Sequence, residues 1–80
     1  MSNTEKLYSS FANALNIDIS KVNDNLTYQS IPQWDSISHM VLISNIEEAF
    51  NVSIDTDDVI DMSSVANAKE ILIKHNINFS

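Results

Sequence analysis

Apolar residues recur at helical spacing in several stretches of the chain. Leu7, Phe11, Ala14 and Leu15 fall three or four positions apart, the period of one buried helix face. Asn3 or Thr4 is placed to cap this first helix, with Glu5 in its opening turn and Asn16 to stop it in a left-handed cap. From Ile17 to Gln33 the period lapses. Ile19, Val22, Leu26, Tyr28 and Ile31 stand singly among Asn, Asp and Ser, and Pro32 lies near the end. That segment reads as a long loop held down by those side chains.

A second helix follows. Asp35 is a good N-cap, and Ser36 to Phe50 runs without Gly or Pro as far as Asn51. Val52-Ser53-Ile54 alternates like a short extended link. Asp55 or Thr56 can then cap a short helical turn carrying Val59, Ile60 and Met62. Ser63 or Ser64 caps the last helix, where Val65, Ala68, Ile71 and Leu72 form the buried stripe and Lys69 and Lys74 sit toward the favourable C-terminal end. The expected fold is all-α, a small four-helix bundle of three main helices and one short one, with a long loop between the first and second. No strand is expected, and residues 1–80 suit one domain.

Composition narrows the class. The hydrophobic share of 44% suits a globular core, and no apolar run approaches the roughly 18 residues of a membrane span. The start, MSNTEKLYSS, lacks a basic region followed by an apolar stretch, so a cytoplasmic protein is expected. There is no cysteine, which excludes disulfides, thiolate-metal sites and cysteine nucleophiles. There is no glycine, which removes phosphate-cradling loops of the P-loop or Rossmann kind. The net charge is −7, and between Lys21 and Lys69 every formally charged side chain is acidic. Such a surface repels nucleic acid and anionic membrane and attracts basic partners.

Most candidate chemistry fails on inspection. Asp55-Thr56-Asp57-Asp58 resembles the start of a calcium loop, but Ile60 stands where such a loop needs Gly and Ala66 where it needs Glu. The reading for these acids is a solvated face with no specific metal site, the alternative being a weak, nonspecific divalent site. His39 and His75 lie far apart, and His39 falls on the buried stripe with Leu42 and Ile46, as a half-buried structural histidine. Trp34 reads as a core or staple residue rather than a ligand contact.

The head of the second helix does not fail. With Ser36 at zero on a wheel of about 100° per residue, His39, Leu42, Ile43, Ile46, Ala49 and Phe50 share one arc and make the core face. Ile37, Met40 and Val41 fall on the other side, with Ser44, Glu47 and Glu48. A helix that only needed to pack would not place three large apolar residues on its polar face. They form an expected contact patch with an acidic margin, beside a hydroxyl. Ser36 takes the first helical position, where the helix dipole favours an attached anion such as a phosphodiester. Asp-Ser is also a common helix start, so these facts alone leave an unmodified serine as the plainer reading.

From Trp34 to about Leu72 the chain resembles an acyl carrier protein. The Asp-Ser-Leu signature of that family stands here as Asp35-Ser36-Ile37. An apolar helix ends in Ile46-Glu47-Glu48-Ala49-Phe50, and Asn51-Val52-Ser53-Ile54 stands where the family has a Gly-Ile-x-Ile-like link. The resemblance implies that Ser36 carries 4′-phosphopantetheine, attached from coenzyme A by a magnesium-dependent phosphopantetheinyl transferase, and that the arm's thiol holds an acyl group as a thioester. It implies no catalytic residues, because partner enzymes load and unload the arm. Asp35 would present Ser36 and support the transferase's metal site. Ile37, Met40 and Val41, with Glu47 and Glu48, would dock acyl-loading and acyl-transferring enzymes through basic surfaces on those partners. A monomer is expected.

Two departures bear on the pathway. Fatty-acid carriers usually have acids two and five places after the serine, where this chain has Ser38 and Val41. Trp34 and Ser38-His39-Met40 look more like stand-alone carriers of specialised pathways, such as those making polyketide, aminoacyl or cell-surface products. An aminoacyl or peptidyl carrier and an unmodified acidic helical adaptor remain the alternatives.

Overall fold

The computed structural model describes residues 2–79. Four α-helices follow one another among them: α1 (Asn3–Leu15), α2 (Ser36–Phe50), α3 (Thr56–Asp61) and α4 (Val65–Lys74). A single 3-10 turn, Ile19–Lys21, interrupts the long loop, and no strand forms among the described residues beyond an isolated bridge between Thr27 and Ser64. The four-helix reading of the sequence holds, with the long loop in its expected place.

The caps show how local chemistry sets the boundaries. Asp35, Asp55 and Ser64 each turn a side-chain oxygen onto an N–H of the first turn of α2, α3 and α4, at 2.9, 3.0 and 3.0 Å. These satisfy donors that a helix start leaves without internal partners. The first helix corrects the sequence reading. Its cap is Ser2, whose hydroxyl accepts from the Glu5 N–H at 3.1 Å, and neither Asn3 nor Thr4 serves. Ser-x-x-Glu is the spacing that makes such a cap strongest. Its buried face also takes Ala12, while Ala14 is only half-buried.

Without glycine, the left-handed positions fall to amides. Asn16 (φ 56°), Asn51 (φ 54°) and Asn76 (φ 67°) turn the chain at helix ends, and Gln29 (φ 63°) turns the long loop. Asn tolerates this region better than other residues with a Cβ. After Asn51, the Val52 N–H returns to the Glu47 carbonyl at 3.1 Å, which closes α2.

The core is one cluster. Trp34, Phe11, Leu7, Leu15, Leu42, Ile46, Met62, Leu72 and Val65 are its largest fully buried members. The expected α4 stripe of Val65, Ala68, Ile71 and Leu72 is buried as a whole. The long loop lies down on the start of α4. Tyr28 N–H donates to the Ser63 carbonyl at 2.8 Å, and Val65 N–H to the Leu26 carbonyl at 3.0 Å. Lys69 pairs with Asp24 at 2.8 Å, and the Tyr8 hydroxyl donates to the same carboxylate at 2.8 Å. Lys69 thus stands within α4 as a tie to the loop. Its ammonium, and then Tyr8, hold the Asp24 carboxyl below its ordinary range. Val22 and Leu26 are buried in the loop as expected, whereas Ile19 is exposed.

Asp58 departs from the solvated acidic face read for its segment. It is buried, and it accepts from the Lys74 ammonium at 2.8 Å, so α3 is tied to the end of α4. No buried side-chain nitrogen or oxygen among the described residues lacks a hydrogen-bond partner, as a well-packed polar network requires. No helix among them is long and apolar enough to cross a membrane.

Candidate functional site

The site is built outward from Trp34. This side chain is fully buried, and its ring meets Phe11 edge-on at 5.2 Å. Its backbone is held on both sides: Trp34 N–H donates to Ile31 and Gln29 N–H donates to Trp34, at 3.2 and 3.1 Å. Asp35 follows in extended backbone (φ −114°, ψ −174°) and begins α2. Its carboxylate accepts from the Ser38 N–H at 2.9 Å, and its carbonyl accepts from the His39 N–H at 2.9 Å. The Ser38 N–H holds the Asp35 carboxyl below its ordinary range, so this cap is anionic at neutral pH.

Ser36 is the first residue of α2 and is exposed. Around it the helix turns large apolar side chains to solvent: Ile37 is 77% exposed, Met40 60% and Val41 47%. The outward placement read from the wheel is what the structure has. Glu48 is exposed at the far end of this face. Glu47 is different, because its carboxylate turns back to accept from the Ile54 N–H at 2.8 Å and the residue is half-buried. Its carboxylate is engaged in holding the α2–α3 link.

A cleft of about 200 Å³ opens on the α3 side of α2, lined by Tyr28, His39, Val59, Ile60, Met62 and Ser63. No charged residue lines it. Ile60 forms part of its rim and is 73% exposed. The sequence reading did not assign Tyr28 and Ile60 to the site. For Ile60 a signal existed: of the adjacent pair Val59-Ile60 in a helix of one and a half turns, only one can face the core. A larger groove of about 610 Å³ runs between α3 and α4, but Asp58, Asp61, Glu70 and Lys74 line it. It includes no residue of α2, whereas the smaller cleft includes His39, three residues on from Ser36 in the same helix.

This geometry suits a tethered anion at Ser36. An exposed hydroxyl begins a helix whose first N–H groups and dipole favour negative charge, and the neighbouring carboxylate is directed to Ser38. Among the described residues, no three His, Asp or Glu side chains converge so as to hold a metal ion. Residues 5–72 match the family described as phosphopantetheine attachment site. The chain belongs to that family. Its members are carriers of covalently attached 4′-phosphopantetheine and are not themselves catalytic; they serve the attaching transferase and biosynthetic enzymes. No curated protein matches the chain significantly.

The absence of cysteine fits a carrier. The arm, when attached, supplies a terminal thiol, and the sequence holds no thiol of its own. The remaining parts of the site belong to the scaffold. Asp35 fixes the first turn, Trp34 fixes Asp35, Glu47 ties α2 to the link before α3 at Ile54, and the His39 ring ties it to α3 at Val59.

Proposed function

We propose that the protein is an acyl carrier that holds an acyl group as a thioester on a 4′-phosphopantetheine arm at Ser36. The observation that carries this reading is the exposed Ser36 hydroxyl at the first position of α2, beside the Asp35 cap and within the apolar surface of Ile37, Met40 and Val41. In attachment, Ser36 Oγ forms a phosphodiester bond to the pantetheine-bearing phosphorus of coenzyme A. The pyrophosphate bond breaks, adenosine 3′,5′-bisphosphate leaves, and the serine proton is lost. The ionised Asp35, adjacent to Ser36, would support the transferase's magnesium.

The docking surface for loading and transfer enzymes is Ile37, Met40 and Val41, with Glu48 at its margin and Ile60 added across the cleft. Ser38 and Val41 stand where fatty-acid carriers have acids, and this supports service in a specialised pathway through apolar contacts with a basic rim. Incubation with a phosphopantetheinyl transferase, magnesium and coenzyme A should raise the intact mass by one phosphopantetheine. Ser36→Ala should abolish the gain while leaving helicity intact, because Asp35 still supplies the cap. A gain that survives Ser36→Ala moves the attachment to another serine. No gain in the wild type favours the unmodified adaptor.

A further inference from the structure

Both ring nitrogens of His39 are engaged, and their partners fix its form. The Trp34 indole Nε1–H can only donate, and it lies 3.0 Å from His39 Nδ1. Nδ1 is therefore the bare acceptor. His39 Nε2 lies 2.8 Å from the Val59 carbonyl, which can only accept, so Nε2 carries the proton. The ring is a neutral imidazole stretched between the buried Trp34 and α3.

That link matters because α3 is short. A helix of six residues has no stability of its own. The Val59 carbonyl lies in its last turn, among those left without intrahelical partners, and the His39 Nε2–H satisfies it. The same ring stacks near Trp34 at 24° and meets Tyr28 edge-on at 5.4 Å. Tyr28, His39 and Met62 together line the cleft, and Met62 is 1% exposed. His39 thus stands between the cleft and Trp34. The cleft is also smaller than the roughly 300 Å³ at which small-molecule pockets begin.

We infer that His39 is a positioning residue that pins α3 to Trp34 and, with Met62, floors the cleft, so that the cargo rests outside the bundle. The inference rests on Ser36 carrying the arm. The site then takes a short, uncharged acyl group in the cleft, and a longer chain extends over Ile60 toward solvent. His39→Phe keeps the bulk of the ring and loses both hydrogen bonds; His39→Ala loses both bulk and bonds.

The test compares acetyl- and octanoyl-phosphopantetheine, each transferred from its coenzyme A thioester to Ser36, by NMR of the labelled protein. In the wild type, the two cargoes should differ in shifts only at Tyr28, Ile60 and Ser63, with the Leu42, Ile46 and Ala68 methyls unmoved. In His39→Ala the octanoyl form should move those core methyls; in His39→Phe it should not. On the unmodified protein, the His39 ring nitrogens should report a protonated Nε2 and a bare Nδ1. His39→Phe should speed exchange of the Met62 amide roughly tenfold, as the loss of the one of its two hydrogen bonds that reaches α3, to the Val59 carbonyl, implies. Core methyls that move with octanoyl in the wild type overturn the inference, and this stands even if His39→Ala does not fold. Unchanged Met62 exchange in His39→Phe also overturns it. Failure of Ser36 to accept the arm appears first as an unchanged mass; that result sinks the carrier reading, while the ring shifts and amide exchange still judge the pin.

Discussion

Two methionines of this chain differ in little but burial, and they offer a direct test of which apolar residues hold the fold and which serve partners. Met62, just past α3, is 1% exposed; Met40, on α2, is 60% exposed. Truncating a buried Met to Ala costs about 2–5 kcal/mol, because the packing contacts are lost and a cavity remains. At Met40 less than half of the side chain is covered. The stake there is below half of the roughly 2 kcal/mol for full burial, and alanine's higher helix propensity offsets a few tenths. The expected cost of Met40→Ala is about 0.5 kcal/mol. For a domain of this size 1 kcal/mol moves Tm by roughly 4–8 °C. Thermal melts followed by circular dichroism should therefore show Met40→Ala about 2–4 °C below the wild type. Met62→Ala should fall by about 10 °C or more.

Loading should order the two the other way. A central apolar anchor at an interface contributes on the order of 2 kcal/mol, or roughly thirtyfold in affinity. Met40→Ala should slow loading by a cognate enzyme toward that extent under subsaturating conditions, at a temperature where it is fully folded. A Met40→Ala melt as low as that of Met62→Ala would make Met40 a core residue and rotate α2 away from the placement described. A normal melt with wild-type loading would leave the exposed trio without its proposed role.

Acid should find the caps and ties of the fold. Asp35, through the Ser38 N–H, and Asp24, through Lys69 and Tyr8, have carboxyl pKa values lowered from the ordinary 3.8; their contribution is present above that value and is lost as pH falls through the lowered ones. Asn also caps helices well, so Asp35→Asn should flatten the acid limb of a stability–pH curve, and a curve superimposable on the wild type refutes this role for the charge. Salt should act in the opposite sense to its usual effect on ion pairs. The net charge of −7 outweighs the pairs Lys69–Asp24 and Lys74–Asp58, so moderate sodium chloride should raise Tm by screening, and magnesium should do so at lower concentration; a melt that falls with salt would show the pairs to dominate.

The parts of this structure legible in sequence are those fixed by short-range rules. Asp35 is unambiguous as a cap because it precedes fifteen uninterrupted helical residues with no rival oxygen just before it. Ser2-Asn3-Thr4 offers three rivals in a row, and the choice among them turns on the reach of Ser2 to Glu5. The outward trio of α2 is legible because a long helix defines its own faces. The burial of Asp58 is not, since α3 is too short to show a period and the partner, Lys74, lies sixteen residues on. Glu47 falls near the edge of the wheel, and the link that bends back to it decides its direction. The turn at Ile19–Lys21 is ordered by the Asp18 carboxylate on the Ser20 N–H at 3.0 Å, a bond that any Asp in a loop can make.

Trp34 shows why Ser36 sits on such firm ground. Asp35 is in extended backbone, so its side chain points away from that of Trp34. With Trp34 fully buried, Asp35 is exposed, and the helix that starts at Ser36 leaves this residue exposed as well. A leucine at position 34 would provide apolar burial as well, but it has no donor for His39 Nδ1, which accepts from the indole at 3.0 Å. Trp34 thus does two things with one side chain: its rings anchor the loop against Phe11, and its N–H orients the histidine that holds α3. Replacing it with Phe would keep much of the first and none of the second. The partly buried Nδ1 would then be left without its donor, a cost of about 1–3 kcal/mol, and the loss would reach α3 through the same ring. Within two residues of Ser36, therefore, the core fixes both the helix that bears the serine and the far wall of the cleft beside it.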